Sequence, residues 1–370
     1  MKINRFAIDG LTTHESLDVR FELNDDINII TGRNGSGKTT VLKAMWYSIS
    51  GNTALITQEI PFKRIAIETD LFSAEIYRIN ETDVRIEVET ESHDYLFEDE
   101  FDEDGAFSDS AEAQFDRFVI SVGSSVFFPT FRRIEGGFSI PMTQKRSGIG
   151  LFSQAKNDIE ESLQALSRKL TNKDHTFVSS ISTRDIADLL LTKYTQFSEQ
   201  SNRAQKVVSD TIIESIKAFE DTTTANDKLQ AFELIESIKN RIEKLDKERT
   251  DILAPIQEIQ NVVNQIFKHD GISVGSTIKF GDSAKAVNSN YLSAGEKQML
   301  SFICYNALNR NSVIFIDEPE LSLHVDWQRE LFKILSNQNT GNQFIIATHS
   351  PFIYTKYPEK ELTMNRDRGE

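Results

Sequence analysis

A short apolar run, INIIT (27–31), opens directly onto GRNGSGKTT (32–40), and TVLKAMWYSI follows at once. The run is bounded by an acidic turn and by glycines, as a buried parallel strand should be. The nonapeptide fits G-x-x-x-x-G-K-(S/T), a strand-to-helix loop that holds phosphate. Its chemistry needs that order. Gly35 and Gly37 let successive backbone N–H groups curl round a phosphate, and the helix N-terminus adds a favourable dipole. Lys38 supplies a compact cation to β- and γ-phosphates, and Thr39 a hydroxyl for Mg²⁺. Arg33, Asn34, Ser36 and Thr40 complete the predicted cradle. A chain built around such a loop needs a parallel sheet behind it, so the expected class is α/β.

Three further motifs lie far downstream. In SVIFIDEPE (312–320) four apolar residues run into two carboxylates. A buried strand would deliver Asp317 at its carboxyl end, where ligands bind in such sheets. Asp317 is expected to hold Mg²⁺, directly or through water, and Glu318 to polarise an attacking water. Just upstream, YLSAGEKQML (291–300) places Ser293, Gly295 and Glu296 at the start of a helix, where hydroxyl and N–H groups form an anion site. IIATHS (345–350) reads as another strand, ending in His349.

Between these ends the texture changes. RIAIETD, AEIYRIN and VRIEVET alternate apolar and polar residues and predict an antiparallel meander, with FVISV and SVFFP as further strands. From about 150 to 269 glycine and proline nearly vanish, Pro255 excepted, and apolar residues recur every three or four positions. That predicts amphipathic helices, without heptads sustained enough for a long coiled coil. The expected organisation is a head made of 1–149 and 270–370, interrupted by a helical insertion over 150–269.

Charge and cysteine usage exclude rather less than they first suggest. The net charge is −16, but 81–116 holds fifteen Asp/Glu against Arg85, a net of −14, leaving about −2 for the remainder. The acidity therefore says little against nucleic-acid binding elsewhere. The segment reads either as a solvated acidic loop or as an arm that holds a basic partner or keeps nucleic acid off one face. The single Cys304 sits in the apolar helical run MLSFICYNAL and reads as a core residue; no intrachain disulfide is available, which fits a reducing cytoplasm. No apolar run approaches the ~18 residues of a membrane span, and the start MKINRFAIDGL lacks a secretory leader.

With four motifs in this order, the chain resembles the ABC-type ATPases of the SMC, RecF and OLD groups. The string DEPELSLH resembles most the OLD-like ATPases of prokaryotic antiphage defence operons, including Septu-, PARIS- and retron-associated members. The resemblance implies a P-loop NTPase with an ABC/SMC-type split head, a mixed sheet plus an antiparallel β lobe, interrupted by a helical insertion. It implies ATP and Mg²⁺ as cofactors, with Lys38, Glu318 and His349 as catalytic residues. LSAGEKQ (292–298) then corresponds to the signature, whose Ser293, Gly295 and Glu296 face ATP bound by another subunit, so a homodimer or higher homo-oligomer is implied. Glu320 and 321–324 fall at the dimer seam, or Glu320 stands behind the metal ligands. One departure concerns the glutamine that such heads carry after the antiparallel lobe. Thr130 occupies its place, with Arg132 and Arg133 just beyond, and Gln58 and Gln144 are weak replacements.

The expected function is an ATP-hydrolysing dimeric switch that senses or regulates nucleic acid, DNA or RNA, or a separate effector protein such as a nuclease or toxin. No membrane is involved. About twenty residues follow His349, too few for the Toprim nuclease domain of some OLD proteins. The alternative is a RecF/SMC-like DNA-repair ATPase. A transporter subunit would need a shorter span than the more than 250 residues between Lys38 and Ser293.

Overall fold

In the computed structural model INIIT becomes the strand β3 (Ile27–Thr31), every residue of it buried. The structure describes residues 1–11, 18–102, 107–130, 133–134, 162–163, 165–181, 183–222, 228–266 and 293–364. Around β3 lies a six-stranded sheet, all parallel, in the order β12 (His175–Phe177), β10 (Ser125–Phe128), β14 (Val313–Asp317), β15 (Gln343–Ala347), β3, β16 (Glu361–Thr363). β14 and β15 are also buried at every residue, as strands covered on both faces are. Asp317 is level with Ala347 and Ala347 with Ile30, so three motif-bearing strands end side by side.

Helix α1 (Lys38–Ser50) begins and ends at left-handed glycines, Gly37 and Gly51. It seats Trp46 against the sheet, with ring centroids 5.1 Å from Phe127 and 5.5 Å from Phe177. The indole N–H donates to Ser125 Oγ (3.1 Å), and that oxygen lies 2.8 Å from Nδ1 of His175. Burial pushes the His175 imidazole down to about 4, so it stays neutral at the sheet edge.

A second six-stranded sheet runs β2 (Val19–Glu22), β1 (Ile3–Asp9), β4 (Arg64–Thr69), β5 (Ser73–Arg78), β6 (Val84–Glu89), β7 (Asp94–Phe97), antiparallel throughout. Alternation sends Ile65, Ile67, Ile76, Ile86 and Val88 inward, so the expected meander forms. Gln343 stitches the two sheets: it accepts from the N–H of Ile3 (2.8 Å) and donates to the Ile3 carbonyl (2.7 Å).

Two expectations are corrected here. FVISV is not a strand. Its first residues close helix α3 (Ala111–Val119), because Phe115, Phe118 and Val119 fall on one helical face and two of them are buried. Nor is 81–116 a loop. Over its described residues it supplies β6, β7, the small pair β8 (Glu100–Phe101) and β9 (Phe107–Asp109), and most of α3, where Glu112 is buried and accepts from Thr57 Oγ1 (3.1 Å). Arg85 lies 2.7 Å from Glu87 and 3.6 Å from Glu98, so its one arginine is held within the segment.

The chain divides into two compact units, residues 1–182 with 292–370, and residues 183–291. β12 and the short β13 (Ser180–Ile181), which pairs with β11 (Arg133–Ile134), therefore belong to the first unit although they fall after 150. The second unit is built of α4 (Thr183–Thr222) and α5 (Lys228–Ile266), 40 and 39 residues long. Each spans about 60 Å at 1.5 Å per residue, longer than the sequence texture suggests. Inward positions Leu234, Ile238, Arg241, Leu245, Ile252, Ile256, Ile259 and Val263 keep a three-four spacing along α5, broken only across the exposed residues 246–251. No described helix is long and apolar enough to cross a membrane.

Candidate functional site

The loop after β3 carries its glycines in the conformation phosphate binding needs. Gly35 has φ +81° and Gly37 φ +96°, values an L side chain rarely adopts. Nothing stands within 4 Å of where a Cβ on Gly35 would project, so the approach to the loop is open. Helix α1 has no side chain capping its N-terminus and no acidic residue in its first turn. By contrast α3, α6 (Ala294–Leu308) and α7 (Val325–Ser336) each have both. Ser36 Oγ is buried without a hydrogen-bond partner. These groups fit a phosphate chain, which would satisfy the open amides and the orphaned hydroxyl together.

Lys38 is buried, and its Nζ donates to the carbonyls of Gly32 and Arg33, both at 3.0 Å. The same ammonium lies 2.7 Å from Nε2 of His349. An ammonium can only donate, so His349 accepts there and carries its proton on Nδ1. Burial, and then the charge of Lys38, hold the His349 imidazole below its ordinary range.

The carboxylates converge on this point from β14. Asp317 accepts from Thr39 Oγ1 at 3.1 and 3.0 Å, and its Oδ2 also accepts from Thr130 Oγ1. Two hydroxyls and a carboxylate form an all-oxygen donor set suited to Mg²⁺. Among the described residues no group of three or more His, Cys, Asp or Glu could hold a metal ion.

Glu318 follows in a left-handed conformation, φ +50°. Its Oε1 lies 3.3 Å from His349 Nε2. Burial first, then the hydrogen bond and charge of Glu320 and the charge of Asp317, push its carboxyl up to about 8, with Lys38 pulling the other way. Glu320 Oε1 accepts the backbone N–H of His349 at 2.8 Å, while its Oε2 is buried without a hydrogen-bond partner. Glu320 thus ties the end of β15 to the turn after β14.

Helix α6 starts with a capping box: Ser293 Oγ accepts from the N–H of Glu296 (3.3 Å), and the Glu296 carboxylate accepts from the N–H of Ser293 (2.7 Å). A Cβ on Gly295 would stand 2.5 Å from the carbonyl oxygen of Ser322. Gln298 donates to the Pro319 carbonyl (2.9 Å). The start of α6 is therefore tied to the segment after Glu318 through Gly295 and Gln298.

Lys38, Thr39, Asp317, Glu318 and His349 meet in one place, and Thr130 joins them where the glutamine was expected. Gln58 is exposed on α2 (Thr53–Glu59), Arg132 and Gln144 lie outside the described residues, and Arg133 is described as part of β11. Sequence reasoning weighed Glu320 for the seam and missed its bond to His349, whose only local signal is a second carboxylate two residues after Glu318.

A family model described as "AAA domain, putative AbiEii toxin, Type IV TA system" matches residues 27–354. Among curated relatives, "Retron Vc95 probable ATPase" of Vibrio cholerae serotype O1 biovar El Tor is 30% identical over 100 residues, 24% of this chain and 19% of that protein. "Endonuclease GajA" of Bacillus cereus (strain VD045) is 38% identical over 73 residues, 17% of this chain and 13% of that protein. The chain spans less than a fifth of the length of the curated relatives it matches. A solved Smc head domain with an extended coiled coil, bound to the C-terminal domain of ScpA and derived from Pyrococcus furiosus, is 12% identical. That match covers 96% of this chain and 91% of the other, at a TM-score of 0.38. At that score the likeness adds nothing to what sheet order and motifs already establish.

Proposed function

Because the chain belongs to the AAA-domain family (putative AbiEii toxin, Type IV TA system), we propose that it binds and hydrolyses ATP with Mg²⁺ as a dimeric switch in antiphage defence. The observation that carries this reading is the meeting of Lys38, Thr39, Thr130, Asp317, Glu318 and His349 at the ends of four adjacent strands, β10, β14, β15 and β3. The metal ion, when bound, neutralises charge on the β- and γ-phosphates. Thr39 and Asp317 hold it, with Thr130 fixing the rotamer of Asp317. Lys38 and the amides of 33–40 hold the phosphates. Glu318 orients the attacking water and takes up its proton, and His349 reports the γ-phosphate through the contact it already makes with Lys38.

Where the signature sits supports the dimeric reading. Residues 293–296 form a second helix N-terminus, and its helix is fixed to the segment after Glu318 through Gln298 and the close approach of Gly295 to Ser322. Two copies about a two-fold axis would each lend it to the other's ATP. Retron ATPases and GajA among the relatives support a defence role, with a nuclease or toxin, or nucleic acid, as the regulated partner.

The test measures mass and specific activity against protein concentration, with ATP and Mg²⁺. Activity should rise with concentration as the dimer forms, and Glu318→Gln should accumulate the ATP-bound dimer. A constant specific activity in a chain that stays monomeric with ATP bound would sink the shared-site reading.

A further inference from the structure

Two hydrogen bonds join the turn after β14 to the end of β15. In the first, just past Asp317, the N–H of Glu318 donates to the Ala347 carbonyl at 2.8 Å. The second runs the opposite way, from the N–H of His349 to Glu320 Oε1, also at 2.8 Å. Each tie uses the backbone of a residue whose side chain belongs to the site. Those two side chains approach to 3.3 Å, between Glu318 Oε1 and His349 Nε2.

The neighbours of His349 have anchors of their own. The N–H of Thr348 donates to the Ile30 carbonyl of β3 (3.1 Å). Ser350 donates its N–H to Thr348 Oγ1 (3.0 Å) and its hydroxyl to Gln328 Oε1 on α7 (2.6 Å), and α8 (Pro351–Tyr354) begins there. His349 falls between strand and helix and belongs to neither. Among the described residues, Glu320 is the one acceptor for its N–H. The other oxygen of that carboxylate, Oε2, is buried with no hydrogen-bond partner. Burying a half-satisfied carboxylate costs stability, so a gain in stability does not explain its presence here.

We propose that Glu320 is a positioning residue for hydrolysis, acting through the main chain of His349 to hold the imidazole beside Glu318 and Lys38. The inference rests on the nucleotide reading of the site. It gives the second carboxylate of DEPE (317–320) a part distinct from that of the first two.

The test is steady-state ATPase kinetics with calorimetric ATP affinity, on the full chain and at several protein concentrations. Glu320→Ala removes the acceptor for the His349 N–H. It should lower kcat by ~10–30-fold with ATP affinity within ~3-fold, because a misplaced group is missed mainly in the transition state. Glu320→Gln keeps an acceptor oxygen at the same reach, and its kcat should lie within ~3-fold of wild type. Adding Glu320→Ala to His349→Ala should lower kcat no further, since no imidazole is left to place. Wild-type kcat in Glu320→Ala would overturn the proposal, as would a glutamine variant as slow as the alanine one, or losses that add in the double variant. A loss that higher protein concentration reverses would assign Glu320 to the dimer seam and overturn it too. A wild type that neither binds nor hydrolyses ATP would instead refute the nucleotide reading, so the two failures are told apart.

Discussion

Lys38 Nζ lies 2.7 Å from Nε2 of His349 although 311 positions separate the two residues. The lysine is thus held ready between its own loop and the end of a different strand. A γ-phosphate entering the loop would compete for the same ammonium, so occupancy would be felt directly at β15. His349→Ala should leave ATP affinity within ~3-fold while lowering kcat by ~10²-fold, the pattern of a group that acts mainly in the transition state. Lys38→Ala should instead abolish nucleotide binding. Calorimetric titration with ATP, set beside steady-state kinetics, separates the two.

Thr130 takes the place of the expected glutamine by a different chemistry. Its hydroxyl donates to Asp317 Oδ2, the oxygen that also accepts from Thr39. Thr130→Val should raise the Mg²⁺ concentration needed for half-maximal hydrolysis by about 10-fold, the cost of one charge-assisted hydrogen bond. Thr130→Ser should leave it unchanged. A Mg²⁺ titration of ATPase activity in both variants checks this.

Gly295 has no room for a side chain, because the Ser322 carbonyl would stand 2.5 Å from its Cβ. Ser322 itself holds a left-handed φ of +73°, so the carbonyl is poorly placed to retreat. Gly295→Ala should therefore cost about 1–3 kcal/mol, the usual penalty of overpacking, read in urea unfolding. ATP affinity should persist, since the phosphate loop is untouched.

His175 gives a pH signature. Its folded imidazole titrates near 4 against an ordinary value of 6.5, so between these values the unfolded chain binds the extra proton. Stability from this group is complete above about 6.5 and is lost as pH falls toward 4, by ~3 kcal/mol at most. His175→Gln should flatten the fall in unfolding free energy between pH 7 and 4.5 relative to wild type. Equal slopes would show that His175 takes no part.

What could be read from the sequence is what is local in it. INIIT and GRNGSGKTT carry strand, loop and helix within 20 residues, and VIFID announces its carboxylates by abutting them, so both ends of the site were legible. The bond from His349 to Glu320 spans 29 positions and that from Thr130 to Asp317 spans 187, and no periodicity records either. FVISV misled because five mostly apolar residues suit a strand and a helix end equally, and only Phe115, earlier in the chain, decides. Within 81–116 VRIEVET was legible as a strand, because Val84, Ile86 and Val88 alternate with the charges, whereas the acidic count hid β7 and α3 beyond it.

The strand that carries the phosphate loop is flanked by β15 and β16, both made some 310 residues or more after it. Translation at 5–20 residues per second therefore leaves β3 without either neighbour for roughly 15–60 s. During that interval the nascent chain offers an apolar strand with two open edges, and its P-loop lacks both Asp317 and His349. Ribosome-bound intermediates of this protein should accordingly depend on chaperones. Nucleotide should not rescue a chain stalled before β14, because Asp317, which would hold the metal with Thr39, has not yet been made.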